Sequence, residues 1–216
     1  MMRRSGIERR HTLLAGLLLA IGASARAGAY EDFFHAIEVD DAARMQELLV
    51  RGMDPNTRDP QGQHGLYLVL RGGAQKVFEV LLAHPSIEVD ARNGHGETPL
   101  MMAALRGRVD AMKTLVGKGA QVDREGWTPL HYAASSPSAD AVRYLLEHPV
   151  SVNARAPNGN TPLMLAARWG HEDSVALLLA RGADRSLRNA RGLDAVDYAR
   201  LDGREAVARS LEAHKP

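Results

Sequence analysis

One phrase, written three times, constrains this chain more than any other feature. Thr-Pro-Leu opens at Thr98, Thr128 and Thr161, in "GETPLMMAALRGRVDAMKTLVGKGAQVD", "WTPLHYAASSPSADAVRYLL" and "NTPLMLAARWGHEDSVALLL", at spacings of 30 and 33 residues. Carried outward, the same period reaches Asp194 downstream and His64 and Glu31 upstream, so six units span about Tyr30 to His214. A unit of that length cannot bury its apolar face alone. A fixed period in the low thirties therefore implies a solenoid in which each unit covers the next.

Each unit reads as two short antiparallel helices. Thr98 supplies a side-chain N-cap, and Pro99 follows where a missing N–H costs nothing. Leu100, Ala103 and Ala104 then face a neighbouring unit, and the alanine pairs (Ala103/Ala104, Ala133/Ala134, Ala166/Ala167) allow close approach of successive helices. Gly107 and Gly170 turn the chain into a second helix with apolar residues at helical spacing: Met112, Leu115, Val116; Val142, Leu145, Leu146; Val175, Leu178, Leu179. Gly119 and Gly182 suit a left-handed C-terminal cap. Polar, turn-rich stretches such as "VDARNGHG" and "VNARAPNGN" suit a hairpin between units.

The Thr-Pro-Leu, the Ala-Ala pairs, Gly170-His171, Leu177-Leu178-Leu179 and the "GAD" or "VNAR" ahead of the next turn resemble ankyrin repeats over most of the chain. The resemblance implies an all-α repeat: an ankyrin solenoid of about six helix-turn-helix units with β-hairpin-like fingers, the units starting near 31, 64, 98, 128, 161 and 194. Departures are local. His64-Gly65 replaces Thr-Pro and Val69-Leu70 replaces Ala-Ala, which predicts a less regular first helix in the second unit. The segment from Gly119 to Trp127 is three residues short, which predicts a smaller finger. Pro149 stands where a left-handed Gly belongs, and one extra residue accompanies His84-Pro85, so those turns take another path.

Residues 1–29 do not follow the repeat. A basic "MMRRSGIERRHT", an apolar "LLAGLLLAIGASA" and a small-residue "ARAGA" give the layout of a cleavable signal peptide, ending at Ala27 or Ala29. The apolar run falls short of the ~20 residues a spanning helix needs. An uncleaved anchor is the alternative, and the two Arg pairs leave general secretion and twin-arginine export both open. The expected organisation is a leader at 1–29 and a single repeat domain at 30–216. The chain has no Cys, which excludes disulfides and a lipid-anchored thiol. The leader's style is bacterial and points to the periplasm, with secretion beyond it as the alternative. Removing residues 1–27 takes away five Arg and one Glu, which turns the formal charge of +1 into about −3. A mildly acidic chain gives no basis for nucleic-acid binding, which needs a dense basic field, and no second apolar segment marks a membrane span.

Nothing in the sequence assembles a catalytic, metal or cofactor site. His131, after Thr-Pro-Leu, and His171, in the inter-helix turn, read as local backbone partners, and His84 and His148 as cations closing second helices. No His pair stands at i,i+4 beside a Glu, and "NGHGET" lacks the third glycine and preceding strand of a dinucleotide loop. Serines 135, 136 and 138 surround Pro137 with no base in view.

Recognition remains. In the implied architecture, fingers and first helices line one concave surface whose side chains are free of core duties. The partner-binding candidates there are Gln63, His95, Glu97, Arg106, Arg124, Trp127, Asn160, Arg168 and Trp169, together with Asn93, Asn158 and Arg191. Trp and Arg are the types most enriched in binding hot spots. Trp127 follows the shortened finger and is read as a contact residue. Trp169 is balanced between contact and packing over the next turn. Arg58, Arg92, Arg124, Arg155 and Arg188 recur at one place in five fingers, either as spacers bonded between fingers or as a positive rail for an acidic segment. The resulting expectation is a non-enzymatic, monomeric protein–protein interaction module in the bacterial cell envelope, binding another protein and no cofactor. The alternatives are an inhibitor or regulator of a periplasmic enzyme or toxin, and an exported effector acting outside the cell.

Overall fold

The computed structural model describes residues 28–213. Twelve helices follow one another in pairs among them: α1 (28–38) with α2 (Ala42–Val50), α3 (Gly65–Gly72) with α4 (Gln75–Ala83), α5 (Pro99–Leu105) with α6 (Val109–Gly117), α7 (Pro129–Ala134) with α8 (Asp140–Leu145), α9 (Pro162–Trp169) with α10 (Glu172–Ala180), and α11 (Ala195–Leu201) with α12 (Glu205–Ala213). The odd-numbered helices α3, α5, α7, α9 and α11 stack in order, and the even-numbered ones back them. The expected leader lies outside the described residues apart from Gly28 and Ala29, which are helical.

The repeated phrase does what its chemistry dictates. Thr98, Thr128 and Thr161 adopt extended backbone and accept from the amide three residues on, at Met101, His131 and Met164; the prolines occupy the first helical turn. Asp194 repeats the device with its carboxylate, accepting from Val196 N and Asp197 N. The three alanine pairs are wholly buried, as are Leu100, Leu115, Leu145 and Leu178. Gly170 is required by close approach rather than by φ: a Cβ there would sit 2.1 Å from the Ala134 carbonyl oxygen of the preceding unit.

The fingers correct the expected fold. The β-hairpin character is absent: the described residues contain no β-strand, only one isolated antiparallel bridge between Arg58 and His64. The reason is length. The tip at Asn93–Glu97 has only two backbone bonds, Gly96 N to Asn93 O and Asn93 N to Glu97 O, with Gly96 at φ +76°; the tips at 59–63, 156–160 and 189–193 repeat the pattern. Two bonds close a turn without starting a ladder. Successive fingers are joined mainly by side chains instead. Asn56 Oδ1 accepts from Glu88 N, Asp90 from Gln121 N, Asp123 from Ser151 N, and Asn153 Oδ1 from Asp184 N.

A second expectation also fails. The helix after His64 is as regular as its counterparts, because His64 replaces threonine as the cap. Its Nδ1 accepts from Leu66 N, and its Nε2 lies 3.0 Å from Asn56 Oδ1. Gly65 leaves the space that the Phe33 ring fills, 2.9 Å from where a Cβ would be. Ahead of Pro149, α8 keeps only six helical residues where α6 and α10 have nine. Proline alone does not set that length, since Pro85 at the equivalent place leaves α4 its nine residues.

Candidate functional site

Fingers and first helices form one face, and two polar nodes run through it. At the first, the Glu97 carboxylate accepts from three groups: Tyr67 OH at 2.8 Å and Asn93 Nδ2 at 2.7 Å of the second unit, and Tyr132 OH at 2.8 Å of the fourth. Burial pushes this carboxyl up, but the three donors outweigh it and hold the group below its ordinary value. Burial, and then the bond to Glu97, pushes both phenols upward. At the second node, Asn160 is 4% exposed and its Oδ1 accepts from Asn189 Nδ2 and Tyr198 OH, both at 2.8 Å. His131, fully buried, ties the phrase to the next finger. Its Nδ1 accepts from Thr128 N, and its Nε2 lies 3.0 Å from the Asn160 carbonyl, so Nε2 carries the proton. Burial depresses its pKa.

Glu97 and Asn160, with Asn93 behind Glu97, therefore have structural duties that the sequence reading did not assign. The remaining candidates divide further. Gln63 is half-buried and accepts from Arg71 Nη1 at 2.7 Å. His95 and Arg106 are exposed. Arg124 is half-buried, donates Nη1 to Gly96 O at 3.0 Å, and has its pKa lowered first by burial and then by Arg92. The Arg column shows bonds between fingers at Arg58 (to Arg92 O), Arg124 and Arg155 (to Arg188 O). Arg188 bonds to Gly192 O within its own finger and pairs with Asp194. Those contacts match the spacer reading more closely than an open cationic rail. His171 N-caps α10 by accepting from Asp173 N.

Between α5, α7 and α9 the face opens into a cavity of about 220 Å³. Trp127, half-buried, meets His131 edge-on with ring centroids 5.3 Å apart and Tyr132 at 6.2 Å. Trp169, 50% exposed, also lines the cavity, with the Arg168 guanidinium 4.6 Å from its ring centroid. Arg168 Nε also donates to Asp202 Oδ1 at 2.9 Å. Leu105 and Leu165 close the wall. The structure thus brings Trp127 and Trp169 together from separate units and adds Tyr132, Leu105 and Leu165, which sequence reasoning missed. Their signal was available: Leu105 stands seven residues after its N-cap, and Tyr132 and Leu165 each stand four after theirs. Among the described residues, no group of three or more His, Asp or Glu is placed to hold a metal ion, and no helix is long and apolar enough to cross a membrane.

Comparison with known proteins places this geometry in a lineage. The family model for ankyrin repeats (three copies) matches residues 33–125 and 119–189. Neurogenic locus notch homolog protein 4 of Homo sapiens is 38% identical over 156 residues, 64% of this chain and 8% of that protein. Tyrosine-protein kinase Shark of Drosophila melanogaster is 34% identical over 172 residues, 77% of this chain and 18% of that protein. The chain thus spans under a fifth of the length of these curated relatives. Among solved structures it is similar to a chain from the complex of a predatory endopeptidase of Bdellovibrio bacteriovorus with an immunity protein. That likeness has a TM-score of 0.73 at 28% identity and covers 85% of this chain and 98% of that one. With repeats, caps, stacked pairs and family model in agreement, this chain belongs to the ankyrin-repeat family.

Proposed function

We propose that this protein-interaction module is an inhibitory partner of an exported bacterial hydrolase, in the manner of an immunity protein. One observation carries the reading: the likeness to a chain from the endopeptidase–immunity complex, which extends over 98% of that chain. A chain matched almost end to end by stacked helix pairs suits the immunity member rather than the endopeptidase. The basic, apolar and small-residue segments of 1–29 support export to the periplasm, where an enzyme of the envelope would be met. The mechanism is docking by a monomer. A preformed face held by nodes such as Glu97 and Asn160 loses little conformational freedom on association, so more of the contact energy remains for affinity. Covering the mouth of a partner's cleft is enough to stop catalysis without chemistry from the inhibitor.

The test is to crosslink the protein in the envelope of its own cells, identify the attached chain and assay it with and without an equimolar amount of this protein. A hydrolase whose activity falls to background is the expected result. A partner with no hydrolytic activity, or one that keeps full activity when saturated, removes the inhibitory reading and leaves a passive interaction module.

A further inference from the structure

The cavity between α5, α7 and α9 faces water with walls that have little to offer it. The polar groups of His131, Tyr132 and Ser135 are committed elsewhere. Both His131 ring nitrogens are engaged by Thr128 and Asn160, Tyr132 OH donates to Glu97, and Ser135 Oγ donates to the His131 carbonyl at 3.1 Å. The remaining surface is the carbon of Leu105 and Leu165 and the rings of Trp127 and Trp169, whose two indole N–H groups are its only other donors. At about 220 Å³ the cavity exceeds the ~150 Å³ apolar hole that accommodates benzene.

Two arginines adjoin its wall residues. Arg106 follows the wall residue Leu105, is exposed, and has no carboxylate partner among the described residues. Arg168 lies over Trp169 and pairs with Asp202 through Nε. An apolar depression with one guanidinium over its wall and a second, unpaired arginine next in sequence to another wall residue selects an apolar group with negative charge beside it, since an opposite charge there lowers the cost of docking and a like charge raises it.

We propose that this cavity is the anchor site for the partner protein, and that it takes one aromatic or large aliphatic side chain from a loop carrying a carboxylate next to it. The inference rests on the reading of the chain as a protein-binding module and specifies the chemistry of what binds.

The chain has two tryptophans, and both line this cavity, so indole emission reports its occupancy. The probe is a synthetic peptide with one phenylalanine flanked by aspartates in a Gly-Ser background, titrated into the full chain. One control replaces the phenylalanine by serine, and another replaces the aspartates by lysines. The expected result is a saturable emission change with the acidic phenylalanine peptide, none with the serine peptide, and roughly tenfold weaker binding with the lysine peptide or with Arg106→Glu. No saturable response to the phenylalanine peptide, or an equal response to the serine peptide, overturns the anchor site. Equal affinity for aspartate and lysine peptides overturns the acidic partner. Trp169→Ser, whose thermal unfolding is measured alongside, is expected to bind the phenylalanine peptide roughly tenfold more weakly while melting like the parent; unchanged binding overturns the assignment. Two failures stay separate. If the parent protein inhibits its captured hydrolase and Trp169→Ser inhibits it equally well, the anchor site is wrong and the inhibitory role stands. If the peptide responses hold but nothing is inhibited, the reverse is true.

Discussion

Glu97 shows how one side chain holds several units in register. It sits at a finger base and accepts hydrogen bonds from residues of the second and fourth units, across the third, and each bond to a carboxylate is stronger than one to a neutral acceptor. Glu97→Gln keeps the volume but turns one acceptor into a donor facing Tyr67, Asn93 or Tyr132. The expected loss is about 1–3 kcal/mol of stability, read from denaturant unfolding with an unchanged slope. A loss near zero would mean that water replaces these donors freely. In the sequence, Glu97 looked like an open contact residue because nothing local says that two tyrosines some thirty residues away on either side will turn toward it.

At the scale of the element, the cap decides how each first helix responds to acid. Threonine caps carry no charge at any pH, whereas the second unit uses His64, which burial, and then Arg58, depress from its ordinary 6.5 to about 4. The folded state resists the proton while the unfolded chain accepts it. His64 therefore contributes full stability above about pH 6.5, and that contribution is lost as the pH falls towards about 4. The loss is on the order of 3 kcal/mol at most. His131, also depressed by burial, acts in the same direction. His64→Thr installs the cap used by the third, fourth and fifth units, so its melting temperature is expected to fall less steeply than the parent's between those two pH values. Parallel curves would assign the acid sensitivity to other groups. The finger correction belongs to this scale too: "VDARNGHG" and "VNARAPNGN" carry turn residues, and a turn is what they form. Strand pairing needs longer arms than these segments have.

For the whole molecule, stability is a sum over neighbours, because each pair of helices is covered only by the pairs before and after it. Amide exchange in α5, α7 and α9 is therefore expected to be the slowest, with protection declining towards α1 and α12; uniform protection would instead indicate a single cooperative core. The sequence by itself determined the period, the caps at Thr98, Thr128 and Thr161, the buried alanine pairs and the family, since each depends on residues within one unit and on their recurrence. It also named Trp127 and Trp169 separately. Only the tertiary structure decided that they line one cavity with Tyr132, Leu105 and Leu165, that Asn160 is buried, and that the arginines of the column largely join fingers. The physical reason is that these are contacts between units. Repetition in the sequence fixes what each unit is, while the relation of one unit's side chains to the next depends on the distance and rotation at which the units stack.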